Sequence, residues 1–429
     1  MKYQPINNSL FINNRLKFVN SLKTDAIAIF QSNDEFPRSG DQNFLFKQNA
    51  DMFYLTGIDQ EQSILLLYPN CPNPLYKEVL FLRQTNDFIK VWEGHKYTKE
   101  QAQAVSGIKN IQWIDDFDNI LHSIIHYARY IFLNTNENDR YAHTVNYRDI
   151  RFIEELRNKY PLHRYERAAP LMRELRAVKS EIEVQLTQQA CDITNKAFKR
   201  VLHFVKPNVM EYEIEAEIIH EFIKNRATGH GYTPIIASGN NANILHYNDN
   251  NQKCNDGDLI LMDFGAEYAN YNADLTRTIP VNGRFTPRQK EVYNAVLNVL
   301  NEAKKLMVKG AIWNNYHEQV GEIMTEELIK LKLITKNDVT NQNSSYPAYK
   351  KYFMHGTSHH LGIDVHDFAG RYTPFAEGNI LTCEPGIYIP EEGFGVRLEN
   401  DILITKDGNI DLMQNIPIIA DEIEELMNA

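Results

Sequence analysis

Short apolar runs alternate with polar segments along the first 165 or so residues. Buried strands are predicted where these runs are continuous, at residues 25–30 (DAIAIF), 63–67 (SILLL), 79–82 (VLFL) and 130–133 (YIFL). Residues 149–159 carry helical spacing instead. The pattern predicts an α/β domain, with residues 165–170 (YERAAP) as the link that follows it. No catalytic constellation is found in this part of the chain.

A helical repeat opens the second part of the chain. Apolar residues recur every three or four positions and predict one buried stripe, formed by Ile182, Leu186, Ala190, Ile193, Ala197 and Val201. The preceding Ser180 and Glu183 fit a capping box, in which each side chain satisfies a backbone N–H at the start of the helix. Further helices are predicted at residues 211–225 and from Pro287 onward, where Thr286 provides the cap.

Strands rather than more helices lie between and after these segments. They are predicted at residues 234–237, 259–264, 273–279, 379–384 and 396–404. Helices packed on a largely antiparallel sheet make an α+β domain. The polar stretch at 337–345 is predicted to be a surface loop. We therefore expect two domains, with residues 1–170 forming the first and residues 171–429 the second.

Composition excludes several function classes. Of 429 residues, 43% are hydrophobic and 24% charged, which is typical of a globular protein. The net charge of −11 argues against nucleic acid as a partner, because such binding depends on Lys and Arg. No apolar stretch is long enough to span a membrane, and no N-terminal apolar leader is present, so a cytoplasmic location is expected. Four scattered cysteines without a C-x-x-C pair are expected to be reduced.

Four acidic residues lie in or beside the predicted strands, where acids are depleted. Asp263 shares a strand face with Leu259 and Leu261, because side chains alternate between the two faces of a strand. The other three are Asp274, Glu384 and Glu399. One such acid alone would be a solvated or capping carboxylate. Four that converge on a buried surface would repel one another, a cost that is relieved by protonation or by cations. Two divalent cations would balance the four charges.

A histidine-rich run at residues 353–367 (FMHGTSHHLGIDVHD) adds a nitrogen donor to this set. Histidines among Gly, Ser and Thr on a loop favour metal binding or acid–base chemistry. One imidazole among oxygen ligands suits Mn²⁺, with Zn²⁺, Co²⁺ and Fe²⁺ as alternatives. The sequence thus predicts a metal site in the second domain.

The motifs that carry these residues resemble the pita-bread metallopeptidases, and among them the aminopeptidase P (Xaa-Pro aminopeptidase) family. The resemblance covers nearly the whole chain and is strongest in ILHY (244–247), LMDFGAEY (261–268), ADLTRTIPVNG (273–283), HGTSHHLGIDVHD (355–367), LTCEPGIY (381–388) and GVRLENDILIT (395–405). The segment NADMFYLTGI (49–58) is similar to that family's N-terminal creatinase-like domain. The resemblance implies a creatinase-like α/β domain followed by an α+β pita-bread catalytic domain.

The resemblance also implies roles for individual residues. Asp263 would bind one metal, His359 and Glu384 the other, and Asp274 and Glu399 would bridge both. Glu384 would in addition serve as general acid and base.

Other residues would act on the substrate or orient the ligands. His246 and His366 would polarise the scissile carbonyl and contact the prolyl residue, and His355 would line the pocket. Arg397, which the predicted strand places on one face with Glu399, would orient Asp263 and Tyr388.

Three positions concern the pocket and the assembly. His360 and Phe264 stand where similar sequences usually carry an aromatic residue such as Trp and a small residue, and both lie beside predicted ligands. Trp92 lies in a segment (VWEGHKY) that resembles one reaching into a neighbouring subunit's site in tetrameric members. Trp92 is therefore a candidate substrate-binding residue in a homodimer or homotetramer, with a rim aromatic as the alternative.

Two other functions share this fold. A prolidase has the same metals but cleaves only Xaa-Pro dipeptides, and the HGTSHHLG run looks more like aminopeptidase P. A non-catalytic pita-bread module would bind proteins, but such modules lose metal ligands and all five ligand types are present here. The expected activity is therefore release of the first residue from peptides with proline at the second position.

Overall fold

The computed structural model describes residues 3–138, 140, 144–367, 369–370 and 372–429. This part of the chain divides into two compact units, Pro5–Arg176 and Ala177–Ala429, the second joined by a short N-terminal piece that ends at Gln4. The boundary expected after residue 170 falls inside a helix, Ala169–Ala177. Among the described residues, no helix combines the length and the apolar character that crossing a membrane requires.

The first unit is built on a mixed six-stranded sheet with the order β6-β5-β4-β1-β7-β8. Its strands, and those of a small hairpin (β2 and β3), are β1 Ala26–Gln31, β2 Pro37–Ser39, β3 Gln42–Asn43, β4 Ile64–Leu67, β5 Glu78–Leu82, β6 Ile111–Trp113, β7 Tyr130–Leu133 and β8 Arg164–Arg167. The helices are α1 Ser9–Asn20, α2 Ala50–Thr56, α3 Asp87–Glu93, α4 Lys99–Ser106, α5 Phe117–Ile125, α6 Arg148–Lys159 and α7 Ala169–Ala177. The α/β class and the four predicted strands are confirmed.

The predicted link at residues 165–170 is wrong. Its first half belongs to β8, which pairs in parallel with β7, and its second half begins α7. The side chains of β8 are exposed or half-buried, so this edge strand has no apolar run by which the sequence could reveal it.

The described residues of the second unit form six helices and short, mostly antiparallel strands. The helices are α8 Glu181–Phe204, α9 Glu211–Lys224, α10 Pro287–Leu306, α11 Trp313–Lys330, α12 Lys336–Thr340 and α13 Ala420–Met427. The strands are β9 Gly229–His230, β10 Ile235–Ser238, β11 Leu259–Phe264, β12 Ala266–Tyr268, β13 Tyr271–Asn272, β14 Leu275–Pro280, β15 Ile380–Cys383, β16 Gly386–Ile389, β17 Phe394–Arg397, β18 Asn400–Thr405 and β19 Gly408–Asp411. The α+β class is confirmed.

Three details of the second unit differ from the sequence prediction. The strand predicted at 396–404 is two strands, β17 and β18, separated by Leu398 and Glu399. The predicted loop at 337–345 begins inside a short helix, α12, which Thr335 caps by accepting a hydrogen bond from the backbone of Asp338. The first turns of α8 bury Glu183 and Thr187 instead of the two apolar residues that begin the predicted stripe.

Candidate metal centre

Three sheets deliver the predicted acidic ligands to one region. β11 lies between β10 and β14, and its Asp263 stands in register opposite Thr276. Asp274 precedes β14, Glu384 follows β15, and Glu399 occupies the break between β17 and β18. Three of the four acids therefore sit at strand ends, where the side chain can turn toward a shared site.

His359 reaches the acids because its loop runs beside β15. The backbone of Thr382 donates to the carbonyl of His359 (2.9 Å), and the backbone of Glu384 donates to that of Thr357 (2.8 Å). The Nδ1 atom of His359 lies 3.0 Å from the carbonyl oxygen of His360. A carbonyl only accepts hydrogen bonds, so Nδ1 carries a proton, and Nε2 is the ring nitrogen that faces the carboxylates and can bind a metal once it is deprotonated.

The predicted ligands come together around this nitrogen. Asp274, His359 and Glu399 each offer a ligand atom within 4.8 Å of the others, and all three are buried. Nε2 of His359 lies 3.3 Å from an oxygen of Asp274 and 3.8 Å from one of Glu384. Asp263 is linked to the same group through Tyr232, whose hydroxyl is 2.7 Å from Asp263 and 2.5 Å from Asp274.

The electrostatics of this cluster are unfavourable without cations. Burial, reinforced by Asp263, raises the pKa of Asp274 well above its ordinary value. Burial and then Asp274 raise the pKa of Glu399 in the same way. Burial raises the pKa of Glu384 to about 7, against the opposing influence of His359 and Arg397. An imidazole nitrogen beside crowded carboxylates suits divalent cations in donor type and in charge, so the residues fit a metal centre.

Arg397 anchors one side of the cluster. Its guanidinium donates to Asp263 (2.5 Å), to the hydroxyl of Tyr388 (2.9 Å) and to Thr276 (3.1 Å). The contacts with Asp263 and Tyr388 are those expected from the sequence. The strand argument behind that expectation was wrong, because Glu399 lies in the break after β17 and not on one strand with Arg397.

His355 is held as a neutral ring. Burial lowers its pKa to about 3, and Arg397 acts in the same direction. Its Nδ1 is 2.7 Å from the carbonyl of Gly356, and its Nε2 is 2.7 Å from the hydroxyl of Tyr388. The carbonyl requires a proton on Nδ1, so Nε2 accepts from Tyr388, whose oxygen in turn accepts from Arg397.

The remaining predicted residues are less enclosed. The ring of His366 packs edge-on against that of His359, with centroids 4.6 Å apart. His246 is exposed and is close enough to His355 to disfavour the charged form of that ring. Trp92 belongs to the first unit, where its side chain on α3 is 74% exposed.

The two unusual residues next to ligands point elsewhere. Phe264 follows Asp263 on β11 and so lies on the opposite face, where it packs against Phe222 of α9. His360 stacks on Trp313, with centroids 5.8 Å apart and planes 17° from parallel. Phe264 therefore contacts α9, and His360 contacts α11.

Three residues that the sequence analysis did not single out support the ligands. Tyr232 contacts two of them, and Thr276 donates to Glu399 (2.6 Å). Asp401 is fully buried and accepts a hydrogen bond from the backbone of Asp274 (3.0 Å). Thr276 and Asp401 lie in the motifs ADLTRTIPVNG and GVRLENDILIT, which could have pointed to them. Tyr232 lies in none of the family motifs.

Comparison with known proteins identifies the family of both units. The model of metallopeptidase family M24 matches residues 185–406, and that of the aminopeptidase P N-terminal domain matches residues 11–132. A Xaa-Pro aminopeptidase of Haemophilus influenzae is 33% identical over 97% of each chain.

Solved structures resemble the whole chain. The aminopeptidase PepP of Pseudomonas aeruginosa matches with a TM-score of 0.89 and 30% identity over 99% of this chain and 98% of its own. Aminopeptidase P from Escherichia coli with the inhibitor Pro-Leu matches with a TM-score of 0.88 and 29% identity over 99% of each chain. The chain therefore belongs to metallopeptidase family M24 and is a metal-dependent aminopeptidase with the two-domain organisation of aminopeptidase P.

Proposed function

We propose that this enzyme releases the first residue from peptides of three or more residues that have proline at the second position. The observation that carries the proposal is the buried group of Asp274, His359 and Glu399, with Glu384 3.8 Å from His359 and Asp263 linked to Asp274 through Tyr232. His355, which is hydrogen-bonded to Tyr388, lies 3.8 Å from Glu384. The Haemophilus influenzae relative is named for activity on Xaa-Pro bonds. Proline at the second position has no N–H and a fixed φ, so a pocket can recognise it as a rigid ring.

The proposed centre holds two divalent cations, with Mn²⁺ as the first choice. Asp263 would bind one cation, His359 and Glu384 the other, and Asp274 and Glu399 would contribute to both. Cations in such a site polarise a carbonyl and lower the pKa of water. The support for two is charge, because the four acids outnumber Arg397, the cationic side chain that donates to one of them.

Side chains around the ligands then act on the peptide. Glu384 is proposed to carry the proton between the attacking water and the leaving nitrogen. His366, whose ring touches that of His359, and the exposed His246 are proposed to stabilise charge on the scissile carbonyl. His355 is held by Tyr388 and Gly356 and would line the pocket as a neutral ring.

A prolidase activity is less well supported. The Escherichia coli enzyme is inhibited by Pro-Leu, a dipeptide that has the form of the product left when Xaa-Pro-Leu loses its first residue. A comparable site in this chain would accept residues beyond the proline. A prolidase would instead have to hold the free carboxylate of a dipeptide.

The test compares hydrolysis of Xaa-Pro, Xaa-Pro-Xaa and Xaa-Ala-Xaa by the same metal-loaded preparation. We expect cleavage of Xaa-Pro-Xaa alone, with Glu399→Gln inactive and Glu425→Gln, an exposed acid of α13, fully active. Activity confined to Xaa-Pro would make the enzyme a prolidase. Cleavage of neither proline peptide by fully metal-loaded protein would contradict the proposed specificity for proline.

Assembly and location are also proposed. α3 exposes Phe88, Val91 and Trp92 by 72%, 80% and 74%, which supports a homo-oligomer that covers this helix. A Trp92→Ala variant should then sediment as a smaller species than the parent. All four cysteines are free and buried, which supports a reducing compartment such as the cytoplasm.

A further inference from the structure

A buried ion pair lies outside the ligand set. The amine of Lys179 is 2.9 Å from a carboxylate oxygen of Asp367, and the two side chains are only 1% and 2% exposed. Lys179 stands two residues before α8, and Asp367 directly follows His366. Enclosing two opposite charges costs hydration that their attraction recovers only in part, so stability alone is a weak reason for such a pair.

Asp367 lies at the end of a loop that connects His359 with His366. The backbone of Asp367 donates to the carbonyl of His360 (2.8 Å), which brings the two ends of the segment 360–367 together. Inside the loop, a Cβ added at Gly362 would lie 2.1 Å from a carboxylate oxygen of Asp367, so the carboxylate packs directly on that backbone. The loop begins immediately after His359 and its last side chain before Asp367 is His366.

Both partners of the pair are themselves anchored. The backbone of Lys179 donates to the carbonyl of Gly378 (2.8 Å), which lies two residues before β15. On the other side of the loop, Asn272 of β13 donates to the carbonyl of Ile363 (2.8 Å). The loop that carries Asp367 is therefore fixed to β13 on one side, and Lys179 is fixed to the segment that leads into β15 on the other.

His366 depends on this anchorage more than His359 does. His366 is an exposed residue, whereas His359 is 6% exposed. The backbone of His366 helps to fix where the His366 ring meets that of His359. A shift of the adjacent Asp367 would move the ring relative to the substrate carbonyl, and small displacements of this kind cost large factors in rate.

We propose that Lys179 is a positioning residue, which holds Asp367 and through it sets the location of the His366 ring in the active site. This inference rests on the proposed role of His366 in peptide hydrolysis. It predicts that removing the ion pair reduces kcat only in an enzyme that still has His366.

The experiment is a thermodynamic cycle between the ion pair and His366. The variant Lys179→Met/Asp367→Asn removes both charges and avoids leaving one of them unpaired in the interior. With Xaa-Pro-Xaa as substrate and metal content measured for every protein, we expect kcat to fall on the order of tenfold to a hundredfold, with metal retained. In a His366→Ala background the same two changes should reduce kcat less than about twofold, because residues that act as one unit are non-additive.

Two further variants keep the test decisive. Lys290→Met/Glu424→Gln removes a pair of similar length (2.9 Å) between α10 and α13 and should leave kcat unchanged. Lys179→Arg keeps a positive charge that can donate to Asp367, so it should fold even if the paired variant does not, and its different geometry should cause a smaller loss of kcat. An equal loss with and without His366, or parental kcat in folded variants, would overturn the positioning role while leaving the peptidase function intact. A metal-loaded parent that cleaves no Xaa-Pro-Xaa peptide would overturn both.

Discussion

The crowded carboxylates should lower the free energy of unfolding of the metal-free protein. The variant Glu384→Gln measures this effect. Burial raises the pKa of Glu384 from 4.5 to about 7, which corresponds to about 3 kcal/mol because one pKa unit is worth about 1.4 kcal/mol. Glutamine keeps the shape of the side chain and removes its charge. The substitution should therefore stabilise the metal-free fold wherever the parent's carboxyl is ionised.

The size of the effect depends on pH. At about pH 4 the carboxyl is largely protonated in both the folded and the unfolded chain, so the parent and the variant should be equally stable. Between about 4.5 and 7 the unfolded chain loses its proton first, and the parent's stability falls as the pH rises. Above about pH 7 both forms are ionised and the full penalty of about 3 kcal/mol is present.

The assay is thermal unfolding of chelator-treated parent and variant across this range. At about pH 8 we expect the variant to melt on the order of 5–10 °C higher, and at about pH 4 to melt with the parent. Glu425→Gln, on the exposed side of α13, should change neither melting curve. A variant that is less stable than the parent at about pH 8, or a difference that does not vary with pH, would refute the reasoning.

Three further predictions concern single residues of the centre. Glu399→Ala should lose most bound metal, because Glu399 contributes to both proposed cation positions; elemental analysis showing parental occupancy would remove it from the ligand set. His366→Ala should keep its metal and lose about a hundredfold or more in kcat on Xaa-Pro-Xaa, while His203→Ala on the exposed side of α8 should do neither. Tyr232→Phe should weaken metal binding about tenfold in a calorimetric titration, since its hydroxyl contacts Asp263 and Asp274; unchanged affinity would show that this contact does not orient the ligands.

Much of the fold could be predicted because buried helices and strands have apolar side chains at regular positions in the sequence. The runs DAIAIF and YIFL became β1 and β7, and the apolar strands of the second unit were found in the same way. β8 (RYER) was missed since an edge strand is held by backbone hydrogen bonds and needs no apolar face. The break at Glu399 was missed as well, because strand-forming residues continue on both sides of it.

The site was partly visible in the sequence for a related reason. An acid on an apolar strand face, such as Asp263, is improbable without a function and so attracts notice. Tyr232 gives no such signal, because an aromatic residue before a buried strand is ordinary and only the folded structure brings its hydroxyl to Asp263 and Asp274. The same holds for Lys179, whose partner Asp367 is 188 residues away.

The central claim is that a two-cation centre formed by these five side chains performs the peptidase reaction. The most direct test titrates metal-free protein with Mn²⁺ while the initial rate of Xaa-Pro-Xaa hydrolysis is recorded. The account predicts no activity before metal is added and a rate that stops rising at about two cations per chain. Full activity in metal-free protein, or a rate that saturates at a single cation, would contradict it.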